Sequence, residues 1–133
     1  ITGVLGTSGL LQVILVGVGN LGSALLRYSG FNREGFEISA AFESDPKRLN
    51  AVNAKIPVMD VSLMTKYVID NEVKIAIMAV PAETAQEVAN SLVNAGVQAF
   101  LNFSSTVLKT PDNVIVNSVD LALELEHLSY FVK

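Results

Sequence analysis

The sequence has no cysteine and a single histidine. It therefore has neither a disulfide scaffold nor a thiolate metal site, and any redox role must run through a bound cofactor. Charge is scarce as well: 17% of the 133 residues are Asp, Glu, Lys or Arg, and the net charge is −4. Gripping nucleic acid takes a basic face, so these residues are not expected to bind DNA by themselves. No apolar run approaches the roughly 18–20 residues that span a bilayer. The opening "ITGVLGTSGLL" lacks the basic start and cleavage site of a secretory signal. The cytoplasm is the expected location. The chain opens on Ile1 rather than Met, and is expected to be a piece of a longer protein or a trimmed one.

What is present is an alternation. "QVILVG" (12–17) is an unbroken apolar run of the kind found where both faces of a sheet are covered. "NLGSALLRYSG" follows as a helix ending near Gly30. Further strands are expected at 36–43, 56–60, 73–80, 97–103 and 113–119. Helices are expected from Asp45, with Pro46 in the first turn, over roughly 62–71, over 81–96 between Pro81 and Gly96, and from Asp120 to the end. Strands alternating with helices give an α/β, Rossmann-type doubly wound parallel sheet.

The first turn reads Gly17-Val18-Gly19-Asn20-Leu21-Gly22. In a strand–turn–helix context this Gly-x-Gly-x-x-Gly suits a dinucleotide. The first glycine turns the chain, the second admits the pyrophosphate, and the third lets helix pack on strand. An acidic residue is then expected at the end of the second strand. Glu43 lies 21 residues after Gly22, followed by Ser44. A carboxylate there accepts the ribose hydroxyls and repels a 2′-phosphate, favouring NAD(H), although Lys47 and Arg48 stand close enough to neutralise one. Asp45 reads as a helix cap. Ala79, Val80 and Pro81 end the fourth strand where a ligand would lie. Asn102, Phe103 and Ser104 end the fifth, where Asn and Ser suit a nicotinamide or an ordinary loop equally.

No catalytic or metal-binding residue emerges. Hydride transfer needs a proton donor or acceptor beside the carbon, and the one histidine, His127, reads as an exposed residue of the closing helix. There is no Gly-x-Ser-x-Gly elbow and no lysine after the glycines. A cofactor cradle without a catalyst points to sensing, or to a dehydrogenase cut in half. In the closing helix Leu121, Leu125, Leu128 and Val132 recur at helical spacing, with Val119, Leu123, Tyr130 and Phe131 adding apolar surface on other sides. Such a helix either packs on its own sheet or docks on a second subunit.

These stretches resemble one family. "VLG" (4–6), "VILVGVGNLGSALLRY" (13–28), "AAFESDP" (40–46), "IPV" (56–58), "AVPAETAQEVANSLVNAGV" (79–97), "LNF" (101–103) and "VDLALELEHLSYF" (119–131) are similar, in order, to the core of the Rex redox-sensing transcriptional repressors. The resemblance implies a homodimer whose subunits carry an N-terminal winged helix for operator DNA, which this chain lacks. It implies an NAD(H)-binding domain at 1–118 and a swapped dimerisation helix at 119–133. NADH closes such a dimer and releases the operator, whereas NAD+ permits DNA binding.

By position, Gly17, Gly19 and Gly22 hold the pyrophosphate, Glu43 the ribose, and Ala79–Pro81 with Asn102–Ser104 the nicotinamide side. Tyr28, Asp120 and Leu121 are the implied coupling residues. Three features depart from the family: Glu43 for the commoner Asp, "NFSS" for "NFTP" or "NFAP", and "LNAVNAK" (49–55) where glycines are usual. The alternatives are the nucleotide-binding half of an NAD-dependent dehydrogenase, or a CoA-binding domain of ligase type.

Overall fold

A computed structural model describes residues 9–28, 30–51 and 55–132, and the side chains at 50, 51 and 121–124 lie outside that description. The expected "VLG" segment at 4–6 also lies outside it. Six strands form one parallel sheet: β1 (Leu11–Val16), β2 (Phe36–Glu43), β3 (Val58–Asp60), β4 (Ile75–Met78), β5 (Ala99–Asn102) and β6 (Ile115–Ser118). Their order in space is β3-β2-β1-β4-β5-β6, all pairs parallel. This is the doubly wound dinucleotide-binding order, with its switch point between β1 and β4.

The helices are α1 (Asn20–Arg27), α2 (Gly30–Arg33), α3 (Pro46–Ala51), α4 (Met64–Asn71), α5 (Ala82–Ala95) and α6 (Leu121–Ser129). Alternate strand residues face opposite ways, and each face has its own core. Ile14, Val16, Phe42, Ala76 and Met78 pack with Met64 and Val68 of α4 and Ala85, Ala89 and Leu92 of α5. Val13, Leu15, Ile38, Ala41 and Ile77 pack with Leu26 of α1. The small Ala85 and Ala89, both fully buried, let α5 lie close on the strands. β2 accommodates one extra residue: Val13 pairs with Ile38 but Ile14 with Ala40, leaving Ser39 as a bulge. The Tyr67 hydroxyl donates to the Ser39 hydroxyl at 3.0 Å.

Two helices differ from expectation. The first stops at Arg27 rather than Gly30, because Tyr28 takes an extended conformation and its ring packs edge-on to Phe31, centroids 4.9 Å apart. The closing helix does not pack on its own sheet over its described side chains. Residues 125–132 are all exposed, and Leu125, Leu128, Tyr130, Phe131 and Val132 present apolar surface to solvent. Over the described side chains at 125–132, the helix has no cover from its own sheet. Among the described residues no helix is long and apolar enough to cross a membrane.

The Gln86 side chain of α5 fastens the irregular segment between β5 and β6 at Lys109. Gln86 Nε2 donates to the Lys109 carbonyl at 2.8 Å, and the Lys109 N–H donates to Gln86 Oε1 at 2.7 Å. An amide paired this way mimics a backbone bridge. Gln86→Leu should lower stability by about 1 kcal/mol and speed amide exchange at Lys109, both read by denaturant titration and hydrogen exchange.

Candidate functional site

The chain leaves β1 into Gly17, whose φ of 96° lies in the left-handed region. Its N–H donates to the Phe42 carbonyl at 2.8 Å. A Cβ on Gly17 would stand 2.5 Å from the Ala79 carbonyl oxygen, and one on Gly22 would overlap the Gly17 carbonyl. Both glycines are therefore required by the protein's own packing. Gly19 is different. A Cβ there would meet only the Arg48 guanidinium, at 3.5 Å. Its open side looks out of the protein at the N-terminus of α1, where Asn20 and Leu21 open the helix and its free N–H groups favour an anion. Val18 turns inward and is buried against the α1 side of the sheet.

Glu43 closes β2 and is buried, only 6% exposed. Oε1 accepts the Val18 N–H at 2.7 Å. Oε2 accepts the N–H groups of Ser44 at 2.8 Å and Asp45 at 2.9 Å. A charged acceptor of several N–H bonds is strongly held, and of its roughly four lone-pair directions three are used. The carboxylate thus braces the glycine turn as well as facing the site. Arg48 lies 3.9 Å from both Glu43 and Asp45, a loose and half-exposed contact that adds little stability. Its charge nevertheless hangs beside the turn. Asp45 Oδ1 accepts the Lys47 N–H at 3.0 Å, capping α3.

A cavity of about 510 Å³ opens at the carboxyl ends of β1, β2 and β4. It gathers Gly17, Glu43, Ser44, Ala79, Val80 and Pro81 from the sequence expectation. It adds residues the sequence did not single out: Val61, Ser62 and Thr65 after β3, and Thr84, Glu87 and Val88 on α5. The rule that ligands lie beyond strand ends, applied to β3 as well, would have found the first group. Apolar walls with a few polar groups suit a flat heterocycle and its sugar. At the end of β3 the exposed Asp60 carboxylate accepts the Ser62 N–H at 2.9 Å, and that hydrogen bonding holds its pKa below the ordinary value. Among the described residues no group of acidic or histidine side chains could hold a metal ion.

The remaining expected residues are not on this cavity. Asn102 is fully buried, and its amide is bonded to Thr106, Ser118 and Ser104. Phe103 packs with the α1-side core. Tyr28 stands roughly 12 Å along α1 from the turn at 1.5 Å per residue, and lines a second hollow of about 480 Å³ with Leu25, Phe31, Lys55 and Ile56. Asp120 is exposed just before α6. The Leu121 side chain lies outside the described residues.

The three glycines should therefore separate by experiment. Gly17→Ala and Gly22→Ala should lower the melting temperature, each costing on the order of 1–3 kcal/mol from strain and overlap. Gly19→Ala should fold within about 1 kcal/mol of the parent, yet lose about tenfold or more in dinucleotide affinity through the intruding methyl. Thermal unfolding and calorimetric titration give the two readouts.

Residues 10–106 match the family described as the CoA binding domain. The redox-sensing transcriptional repressor Rex of Carboxydothermus hydrogenoformans is 43% identical over 98% of this chain and 62% of its own length. The repressor of the same name from Streptomyces avermitilis is 44% identical over 89% of this chain and 47% of its own. The chain thus spans only about half to three fifths of these relatives. The crystal structure of RSP, a Rex-family repressor, superposes with a TM-score of 0.85 at 35% identity, covering 94% of this chain and 60% of that one. RSP is also known in complex with beta-NADH, and with beta-NAD+ and operator DNA. These relatives are named as repressors, not enzymes. The chain belongs to the CoA binding domain family and corresponds to the core of its Rex-family repressors.

Proposed function

We propose that this chain is the NAD(H)-sensing core of a cytoplasmic transcriptional repressor. The observation that carries the reading is the glycine turn at the β1/β4 switch point, open only at Gly19 and braced by the buried Glu43 carboxylate. Gly17–Gly22 and the α1 N-terminus would hold the pyrophosphate, and Glu43 with Ser44 the adenosine ribose. The walls formed by Val61 and Val88 would take the adenine, and Val80 and Pro81 would face the nicotinamide side. When bound, the cofactor supplies a nicotinamide whose charge changes with its redox state. The reduced ring is neutral and enters an apolar pocket readily, whereas the oxidised ring carries a charge that is costly to desolvate.

A ligand shifts a conformational equilibrium only by its differential affinity for the two states. In this reading the states are an open and a closed homodimer, joined through α6, whose described apolar side chains have no cover from their own sheet. Tyr28, Asp120 and Leu121 couple the nicotinamide side to that helix across the dimer, with the helix swapped between subunits. Operator DNA is held by the part of the protein outside these 133 residues, in keeping with their net charge of −4. RSP, solved with NADH and with NAD+ and operator DNA, supports this assignment by likeness.

Calorimetric titration should show NADH binding at least about tenfold more tightly than NAD+, a coupling of about 1.4 kcal/mol or more. Equal affinities would point to a dehydrogenase half, and displacement of NADH by coenzyme A to a CoA site. Leu125→Glu combined with Leu128→Glu should leave NADH binding intact and convert a dimer to a monomer by light scattering. A dimer that persisted would remove α6 from the interface.

A further inference from the structure

We propose that Asn102 is a positioning residue that ties the cofactor crevice to the root of α6. The idea rests on the reading just given and adds a physical route between its two ends. Asn102 is the last residue of β5 and is fully buried. Its Nδ2 donates to the Thr106 carbonyl at 2.8 Å and to the Ser118 hydroxyl at 3.3 Å. Its Oδ1 accepts the Ser104 N–H at 3.0 Å and the Ser104 hydroxyl at 2.7 Å. A side-chain amide offers two donors and two acceptor positions, and all four are engaged.

The bonds run in two directions. Toward the crevice, the Thr106 hydroxyl donates to the Ala82 carbonyl at 3.5 Å, and Ala82 follows the cavity-lining Pro81 at the start of α5. Toward the closing helix, the Val119 N–H donates to the Asn102 carbonyl at 2.8 Å, and α6 begins two residues later at Leu121. One buried residue thus joins three places: its side-chain amide holds the crevice-side loop and Ser118 at the end of β6, and its main-chain carbonyl holds Val119, the first residue of the connection to α6. A buried polar network with every member satisfied resists partial rearrangement, because any displacement leaves a group unpaired. The loop at 103–106 and the segment at 118–119 therefore shift as one piece. Energetic coupling requires an element with two positions that both sites bias, and α6, uncovered by its own sheet, is that element.

No other residue type does the same job here. Aspartate keeps the acceptors and loses both donors, and leucine loses all four bonds. Ser118→Ala is the milder change: it removes only the side-chain bond toward α6, on an exposed residue, and leaves the crevice loop and the main-chain bond to Val119 in place.

The test is amide hydrogen exchange of the full 133-residue chain, with and without NADH, for the parent, Ser118→Ala and Asn102→Asp. In the parent, NADH should slow exchange at Ser104, Val119 and residues 121–129 together. Ser118→Ala should bind NADH within about twofold of the parent and keep the protection at Ser104. It should lose about half or more of the protection at Val119 and in α6. Asn102→Asp, if folded, should lose the NADH response at all three places. A purely structural amide would instead change exchange equally with and without NADH, and that result overturns the proposal. So does Ser118→Ala with the parent's full response in α6. NADH bound by the parent with no change at Val119 removes the relay alone, whereas failure of the parent to bind NADH removes the sensing assignment and the relay with it.

Discussion

The carboxylate of Glu43 holds the site together before any ligand arrives. Its three N–H partners, on Val18, Ser44 and Asp45, belong to two different loops. Without it, the N–H of Val18 would face a buried region with its natural acceptor gone, and the glycine turn would lose its fixed position against β2. Buried charge is costly unless the surroundings supply hydrogen bonds, and here the backbone supplies them. The turn and the strand end are thus preorganised by one acidic side chain. A glutamate, a methylene longer than aspartate, reaches back to Val18 while still sitting at the end of its strand.

Around this brace the protein is built in two unequal halves. The α4–α5 side forms the larger buried core and walls the cavity through Val61, Val80 and Val88. The β5–β6 side has less cover: Val107 and Ile115 are exposed, and α6 departs from it with apolar side chains in solvent. Rigidity therefore sits under the Glu43 side of the cavity, and the less covered elements lie toward the other end. Sensing requires a fixed grip at one place and a movable response at another, since elements that move are drawn from the less stable parts of a fold.

Much of this was legible in the sequence because it depends on local chemistry. The parallel order follows from apolar runs separated by helical patterns, and the limits of α5 from Pro81 and Gly96. Gly17, Gly19, Gly22 and Glu43 could be named from spacing, but not that two of the glycines answer to protein atoms and only Gly19 to open space. For Gly17 that distinction depends on Ala79, a residue 62 positions further on. Asn102 was equally a ligand contact or a loop residue by spacing. Its amide is engaged by Ser104, Thr106 and Ser118, partners set by where β5 and β6 come to lie. Gln86, within the 79–97 stretch that carries the family resemblance, fastens Lys109 across a gap that no periodicity reveals. The first helix ends before Gly30 because Tyr28 takes an extended conformation, with its ring edge-on to Phe31, which no helical pattern reveals.

The bulge at Ser39 has a consequence for how the chain finds this structure. Beyond it come Ala40 and Ala41, two residues too alike to prefer one face of the sheet over the other. If β2 paired without the bulge, the ladder would still form, but everything after Ser39 would be inverted. Only Phe42 and Glu43 distinguish the two threadings. The inverted one would drive a carboxylate among Met64 and Val68 and eject a phenylalanine from the same place. The side chain that braces the glycine turn thus also disfavours the misthreaded sheet, through the cost of burying an unpaired carboxylate.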